Sequence, residues 1–306
     1  MKKGEVIQGS KFGFMSSKYF MLAEAIILLV LVAVGTGHLS PSAVKSADIV
    51  ATSSSNILPE PSPLVSSVPS PKPQTETPVN YGKSIRVPIL TYHYIGKNPD
   101  PADFARDSLS IDPELFDEQM GYLSRQGYNP IDLDTLLAGL SGSVILPPKP
   151  VVITFDDGYV DLYVNAFPIL QKYRLKAVAF IPTGLVGTSY YASWDQLAEM
   201  SASGLISLQA HSIRHVNLVA LSPEILAKEL TESKKTLEEK FGKPVNFMAY
   251  PYGSSNAAVW AAVKKAGYLG ALGTWSSPII SEGVIFDMPR VRIPGGATLS
   301  TFISKL

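Results

Sequence analysis

The sequence predicts an α/β fold: a distorted (β/α) barrel of parallel strands with its functional residues at the C-terminal strand ends. Three observations carry that expectation. From Ile85 onward, short apolar runs rich in β-branched residues alternate with longer segments bounded by helix-start and helix-stop residues. Alternation this regular argues for a parallel sheet covered by helices. The polar candidates His93, Asp156-Asp157, His211 and Tyr250-Pro251-Tyr252 each follow a different expected strand. An open doubly wound sheet is the alternative. The barrel is preferred because its strand ends face one mouth, where active sites are built.

The 306 residues carry 26 basic and 26 acidic side chains. A net charge of zero gives no reason to expect nucleic acid or an anionic surface as the main partner. Cysteine is absent, which excludes a disulfide framework, a thiol nucleophile and Cys-ligated zinc. Residues 1–37 read as a cytoplasmic tail with a signal anchor or signal peptide. Lys2, Lys3, Lys11 and Lys18 precede an apolar run from Tyr19 to Val34, broken by Glu24. Basic residues before such a run keep the N-terminus inside. The run spans only about 24 Å, short for a ~30 Å hydrocarbon core. Ala33-Val34-Gly35 is a poor cleavage site, so an uncleaved membrane anchor is favoured, with the remainder at the cell surface. Residues 38–84 are rich in Ser, Pro and Thr and are expected to form a disordered spacer. Residues 85–306 form the folded domain, expected to be a monomer.

The elements follow in order. Val87–Tyr92 reads as a strand ending at His93. A helix should start at Pro113, with Asp112 as its cap, and stop at Gly127. A shorter one is expected around Leu133–Leu140. Val151–Phe155 is a buried strand, and Asp156-Asp157-Gly158 is where it runs out. A helix near Tyr163–Tyr173 precedes the strand Ala177–Ile181. Ser193-Trp194-Asp195-Gln196 is a capping box opening the next helix. The strand Leu205–Ala210 leads to the clearest helix, from Ser222-Pro223 to Phe241, closed by Gly242 and Pro244. Asn246–Tyr250, a helix near Ala257–Ala266 and Tyr268–Thr274 complete the alternation.

Two adjacent carboxylates repel one another and are tolerated at a strand end chiefly beside a positive charge. Asp-Asp-Gly is also ordinary turn chemistry, so the pair alone decides nothing. His211-Ser212-Ile213-Arg214-His215 adds two imidazoles four residues apart, on a helical turn or a tight loop. Two histidines and one carboxylate make an open metal site with room for water. Zinc suits these donors, and cobalt, nickel or iron would accept them. Ser212 stands where a His-Glu-x-x-His metalloprotease has Glu, and no Gly-x-Ser-x-Gly elbow occurs.

Thr154-Phe155-Asp156-Asp157-Gly158-Tyr159, His211-Ser212-x-x-His215 and Tyr250-Pro251-Tyr252-Gly253 together resemble the polysaccharide deacetylases, carbohydrate esterase family four. The resemblance covers roughly residues 85–295. It implies a distorted β/α barrel, one divalent metal on Asp157, His211 and His215, and Asp156 as general base. It also implies an oxyanion donor at the Tyr252 backbone N–H, with Tyr250 and Pro251 beside the substrate. Two departures stand out. Ala249 occupies the place of an arginine that orients the base in the family; Arg290 and Arg292 are candidates for that task or for substrate contact, surface ion pairs being the alternative. The family's late Leu-x-x-His-Asp motif is missing, while Leu90-Thr91-Tyr92-His93 has its spacing at the first strand, which makes His93 the candidate general acid.

These features look most like the branch acting on poly-β-1,6-N-acetylglucosamine. The expected reaction is removal of N-acetyl groups from an extracellular N-acetylglucosamine polymer. Peptidoglycan, chitooligosaccharide and xylan remain as alternative substrates, and a non-catalytic glycan-binding module as an alternative class. Asp156 together with all three ligand residues weighs against the module.

Overall fold

The apolar runs become strands because their side chains are buried on both faces, as a parallel sheet covered by helices requires. Seven parallel strands form the continuous path of the main sheet: β1 Ile89–Tyr92, β2 Pro150–Phe155, β3 Ala177–Ile181, β4 Ile206–Ala210, β5 Phe247–Ala249, β6 Gly270–Leu272 and β7 Val291–Arg292, with the short strand Asn129–Pro130 as an eighth beside the start of β2. This computed structural model describes residues 84–100 and 102–306. The apolar run from Tyr19 to Val34 and the spacer up to residue 83 lie outside the described residues. Among those described, no helix is long and apolar enough to cross a membrane.

Neighbours run β6-β5-β4-β3-β2-β1-β7, so strands consecutive in the chain pair in space until the last returns to the first. Val291 stands opposite Leu90 on that side. On the other side, Met288 bridges Leu272 in parallel, and its N–H donates to Ala271 O at 2.8 Å. The short segment from Met288 to Arg292 therefore touches both edges of the curled sheet and closes the barrel. The expected distorted (β/α) barrel is the observed fold, and this closing strand went unread in the sequence.

Alternation sorts the strand side chains. Val152, Val178, Phe180, Phe247, Leu272 and Met288 belong to one buried cluster, which fills the barrel. Val151, Ile153, Phe155, Ala179, Ile181 and Met248 belong to a second cluster with the helices. On β2 the inward positions are even-numbered, so Asp156 continues the inward row as the strand ends. Val291 joins the helix-side cluster, which leaves its neighbours Arg290 and Arg292 on the barrel side.

The helices begin and end where their caps predict. The longer ones are α1 Pro113–Arg125, α2 Leu133–Leu140, α3 Phe167–Tyr173, α4 Trp194–Ala202, α5 Pro223–Phe241 and α6 Ala257–Lys265, and Phe104–Asp107 and Leu299–Ile303 are short helices besides. Asp112 caps α1 by accepting the Glu114 N–H, and both halves of the Ser193/Gln196 capping box are formed. α5 ends at Gly242, whose φ of 61° lies in the left-handed region. The helix expected from Tyr163 starts as a π-turn over Leu162–Ala166 before α3. β1 starts at Ile89 rather than Val87, since Pro88 has no N–H for a ladder. Ser84–Arg86 pairs antiparallel with Ile279–Ser281.

Candidate metal centre and active site

Four strand ends and the closing strand converge on a cavity of about 750 Å³. Its walls include Thr91, His93, Asp156, Asp157, His211, His215, Tyr250, Tyr252, Arg290 and Arg292. Of the six non-glycine residues with positive φ among the described residues, Asp157, Ser212, His215 and Tyr252 belong to these loops. Such backbone costs on the order of 1–3 kcal/mol per residue and persists where the surroundings impose it. Gly158 follows with φ of 67°, and a Cβ there would lie 2.9 Å from Ile181 Cδ1, so the turn after the carboxylates requires glycine.

Asp157, His211 and His215 each offer a donor atom, all within 4.8 Å of one another. Asp157 Oδ1 is 3.2 Å from His211 Nε2 and 3.0 Å from His215 Nε2. His211 Nδ1 lies 2.8 Å from Ala249 O. That carbonyl only accepts, so Nδ1 carries a proton and the ring presents its Nε2 edge to Asp157. Two imidazole nitrogens and one carboxylate oxygen converging from a buried wall fit a divalent ion with open coordination. Burial works to raise the Asp157 pKa, yet hydrogen bonds from both histidines hold it well below the usual carboxylate range. Burial likewise works to lower His211, and the Asp157 carboxylate outweighs it, leaving that ring above its ordinary value.

Asp156 meets Arg290 instead. Nη1 donates to Oδ1 and Nη2 to Oδ2, both at 2.7 Å, while Nε donates to Gly273 O at 2.9 Å. Arg290 is 1% exposed, so its donors are spent on the carboxylate and the barrel wall, which corrects its expected place among the substrate contacts. Burial pushes the Asp156 pKa upward; the guanidinium more than offsets that and holds it below the ordinary value. Arg292 is exposed and donates to Ser108 O at 3.1 Å and Ser108 Oγ at 2.9 Å, at the cavity rim.

His93 Nε2 lies 3.9 Å from Asp156 Oδ2. Burial lowers its pKa from the ordinary histidine value, against the pull of Asp156 and Asp157. Tyr252 is 69% exposed, and its ring packs 4.7 Å from His215. Tyr250 is buried and donates to Phe286 O at 2.7 Å. Its hydroxyl thus serves the fold, not the open cavity, again unlike the expected substrate contact. Pro251, also buried, starts the tight turn carrying Tyr252.

Tyr159 and Tyr191, absent from the expected set, also line the cavity. Tyr94 and Tyr159 stack with ring centroids 3.9 Å apart, Tyr191 packs 5.2 Å from Tyr159, and the Arg106 guanidinium covers Tyr94 at 4.4 Å. Tyr159 follows Asp-Asp-Gly directly, so its place was readable. Tyr191 comes from a loop, and Ala105, Ser108 and Leu109 from the one-turn helix Phe104–Asp107 and the residues after it, segments too short to show a period.

A family model described as polysaccharide deacetylase matches residues 144–271. The chain is 30% identical over 220 residues to YxkH of Bacillus subtilis (strain 168), covering 72% of this chain and 76% of that one. The name of that relative assigns it provisionally to the polysaccharide deacetylases. A poly-beta-1,6-N-acetyl-D-glucosamine N-deacetylase of Staphylococcus aureus is 32% identical over 164 residues, 49% of this chain and 57% of that one. The chain thus spans little more than half that relative's length. The solved structure of Streptococcus pyogenes deacetylase PplD in complex with acetate is similar at a TM-score of 0.68. It is 29% identical, with 75% of this chain and 99% of that one covered.

Proposed function

Since the chain belongs to the polysaccharide deacetylase family and is a deacetylase enzyme, we propose that it removes N-acetyl groups from an extracellular N-acetylglucosamine polymer, poly-β-1,6-N-acetylglucosamine first among the candidates. The observation that carries this reading is the convergence of Asp157, His211 and His215 beside a separately held Asp156 in one open cavity.

Asp157, His211 and His215 would hold a single divalent ion, zinc or one of its neighbours. Such an ion supplies Lewis acidity toward the acetyl carbonyl and the attacking water. Asp156 takes the proton from that water. Arg290 keeps its carboxylate ionised and fixed in the plane of the guanidinium, so the base is ready without rearranging. The Tyr252 backbone N–H donates to the oxyanion as it develops. His93 protonates the departing amine while the acetamide C–N bond breaks, releasing acetate and a free glucosamine nitrogen. Its lowered pKa makes the imidazolium a stronger acid and a scarcer one at neutral pH. The arrangement supports acid and base work at one centre.

The substrate is tested by incubating the protein and metal with poly-β-1,6-N-acetylglucosamine, peptidoglycan, chitooligosaccharide and acetylated xylan, and measuring released acetate. The proposal expects the first to lead. Acetate from xylan alone would overturn the amide-directed reading. The cell-surface location rests on the basic-then-apolar pattern of the N-terminal residues. Protease added to intact cells should release a soluble catalytic fragment; release only after lysis would refute the orientation.

A further inference from the structure

Glu229 is a charged residue only 2% exposed, and the chemistry above makes no use of it. It sits on α5, with its carboxylate turned to the loop between the two metal-site histidines. Oε2 accepts the backbone N–H of Ile213 at 2.8 Å and that of Arg214 at 3.1 Å, while Oε1 accepts Arg214 Nε at 2.5 Å. Consecutive N–H groups converging on one oxygen make a concavity suited to an anion. Here the protein's own carboxylate fills it. The same loop is gripped through its carbonyls: the Thr183 N–H donates to Ser212 O at 3.2 Å and the Gly184 N–H to Ile213 O at 2.8 Å.

The loop needs that grip. Ser212 and His215 have φ values of 63° and 53°, a region that side-chain-bearing residues disfavour. On that backbone His215 Nε2 comes to 3.0 Å from Asp157 Oδ1. A buried carboxylate paired with an exposed arginine is a poor device for stability alone, since desolvation offsets most of the attraction. It is a good device for holding two N–H groups in one direction.

We propose that Glu229 is the positioning residue of the metal site: its carboxylate imposes the strained 212–215 loop and so sets the place of His215. The inference rests on the metal reading of Asp157, His211 and His215.

The test uses the full chain stripped of metal, with zinc affinity measured by competition against a chromophoric chelator and the melting of each metal-free protein recorded alongside. Glu229→Ala should weaken zinc binding about 10- to 100-fold, the usual effect of losing a group that orients a ligand. Glu229→Asp draws the carboxylate back by one methylene and should behave similarly. Glu229→Gln keeps an acceptor for both N–H groups and should stay within about threefold of the parent, a rescue that a charge requirement or general destabilisation would not produce. Should Glu229→Ala fail to fold, the contrast between Asp and Gln decides. Wild-type zinc affinity in the Asp or Ala variant, or an equal loss in all three, overturns the inference while leaving the site intact. Failure of the parent chain itself to bind zinc removes the site and the inference together.

Discussion

Asp156 and Arg290 form a two-pronged pair with both N–O distances at 2.7 Å, although 134 residues separate them in the chain. The pair exists because the closing strand β7 returns beside β1, carrying Arg290 under the end of β2. Ala249, where the family has its arginine, lies buried on β5 with no means of reaching the carboxylate. Under the proposed mechanism the orienting task falls to an arginine just before another strand of the same barrel, which holds the carboxylate with two hydrogen bonds.

Arg290→Lys keeps the charge and loses the planar fork. Turnover should fall about 10²-fold, the usual worth of an oriented base, with metal content unchanged. Arg290→Met strands a buried carboxylate and should also cost roughly 3–5 kcal/mol of stability, read as a lower urea midpoint. An Arg290→Lys enzyme with normal turnover would separate the arginine from the chemistry.

Asp156→Asn and His211→Ala should fail in different ways. The first removes the proton acceptor but none of the three ligand candidates, so zinc stays and acetate release stops. The second should lose both. Metal analysis of the purified variants beside their turnover distinguishes the two; equal loss of zinc in each would show that Asp156 is itself a ligand.

For His93, acting as acid requires the ring to be protonated, and burial lowers its pKa below the ordinary ~6.5. The kcat/KM profile should therefore carry a falling limb on the alkaline side at or below that value. His93→Gln should lower turnover ~10²-fold or more and abolish that limb. Survival of the limb in the variant would assign it to another group.

Asp161 offers a pH dependence of stability. Burial, opposed by the nearby Arg106, raises its carboxyl to about 6, and its Oδ1 is buried with no hydrogen-bond partner. The unfolded value is ~3.9, so between the two the folded protein binds the proton that the unfolded chain has lost. This group therefore favours folding below pH 4, and that contribution disappears as the pH rises through 6. Asp161→Asn should be close to neutral at pH 4 and stabilise by about 1–2 kcal/mol at pH 7.5, after allowing for partial solvent access. Destabilisation at pH 7.5 would contradict it.

The catalytic half of this molecule was legible because its residues lie next to strand ends, and strands announce themselves by composition. Val151–Phe155 could only be a buried strand, so Asp156 and Asp157 had to stand at its mouth, and Ser193 and Ser222 marked their helices by capping chemistry. What went unread depended on contacts between distant segments. Val291–Arg292 is too short to show a period, and only its pairing with Leu90 makes it a strand. The sequence named Arg290 and Arg292 together as candidates to hold the base and could not choose between them, and it read Tyr250 as a ligand contact, although its hydroxyl is bonded to Phe286. Glu229 reads as one more charge on an amphipathic helix until the loop it holds is in view.

The most direct measurement follows acetate and free amine together as the full chain acts on poly-β-1,6-N-acetylglucosamine, first stripped of metal by a chelator and then reloaded with zinc. The account predicts no release from the stripped protein, recovery on adding zinc, one acetate for each amine exposed, and no recovery in His211→Ala. Equal rates with and without metal, or recovery in His211→Ala, would contradict it.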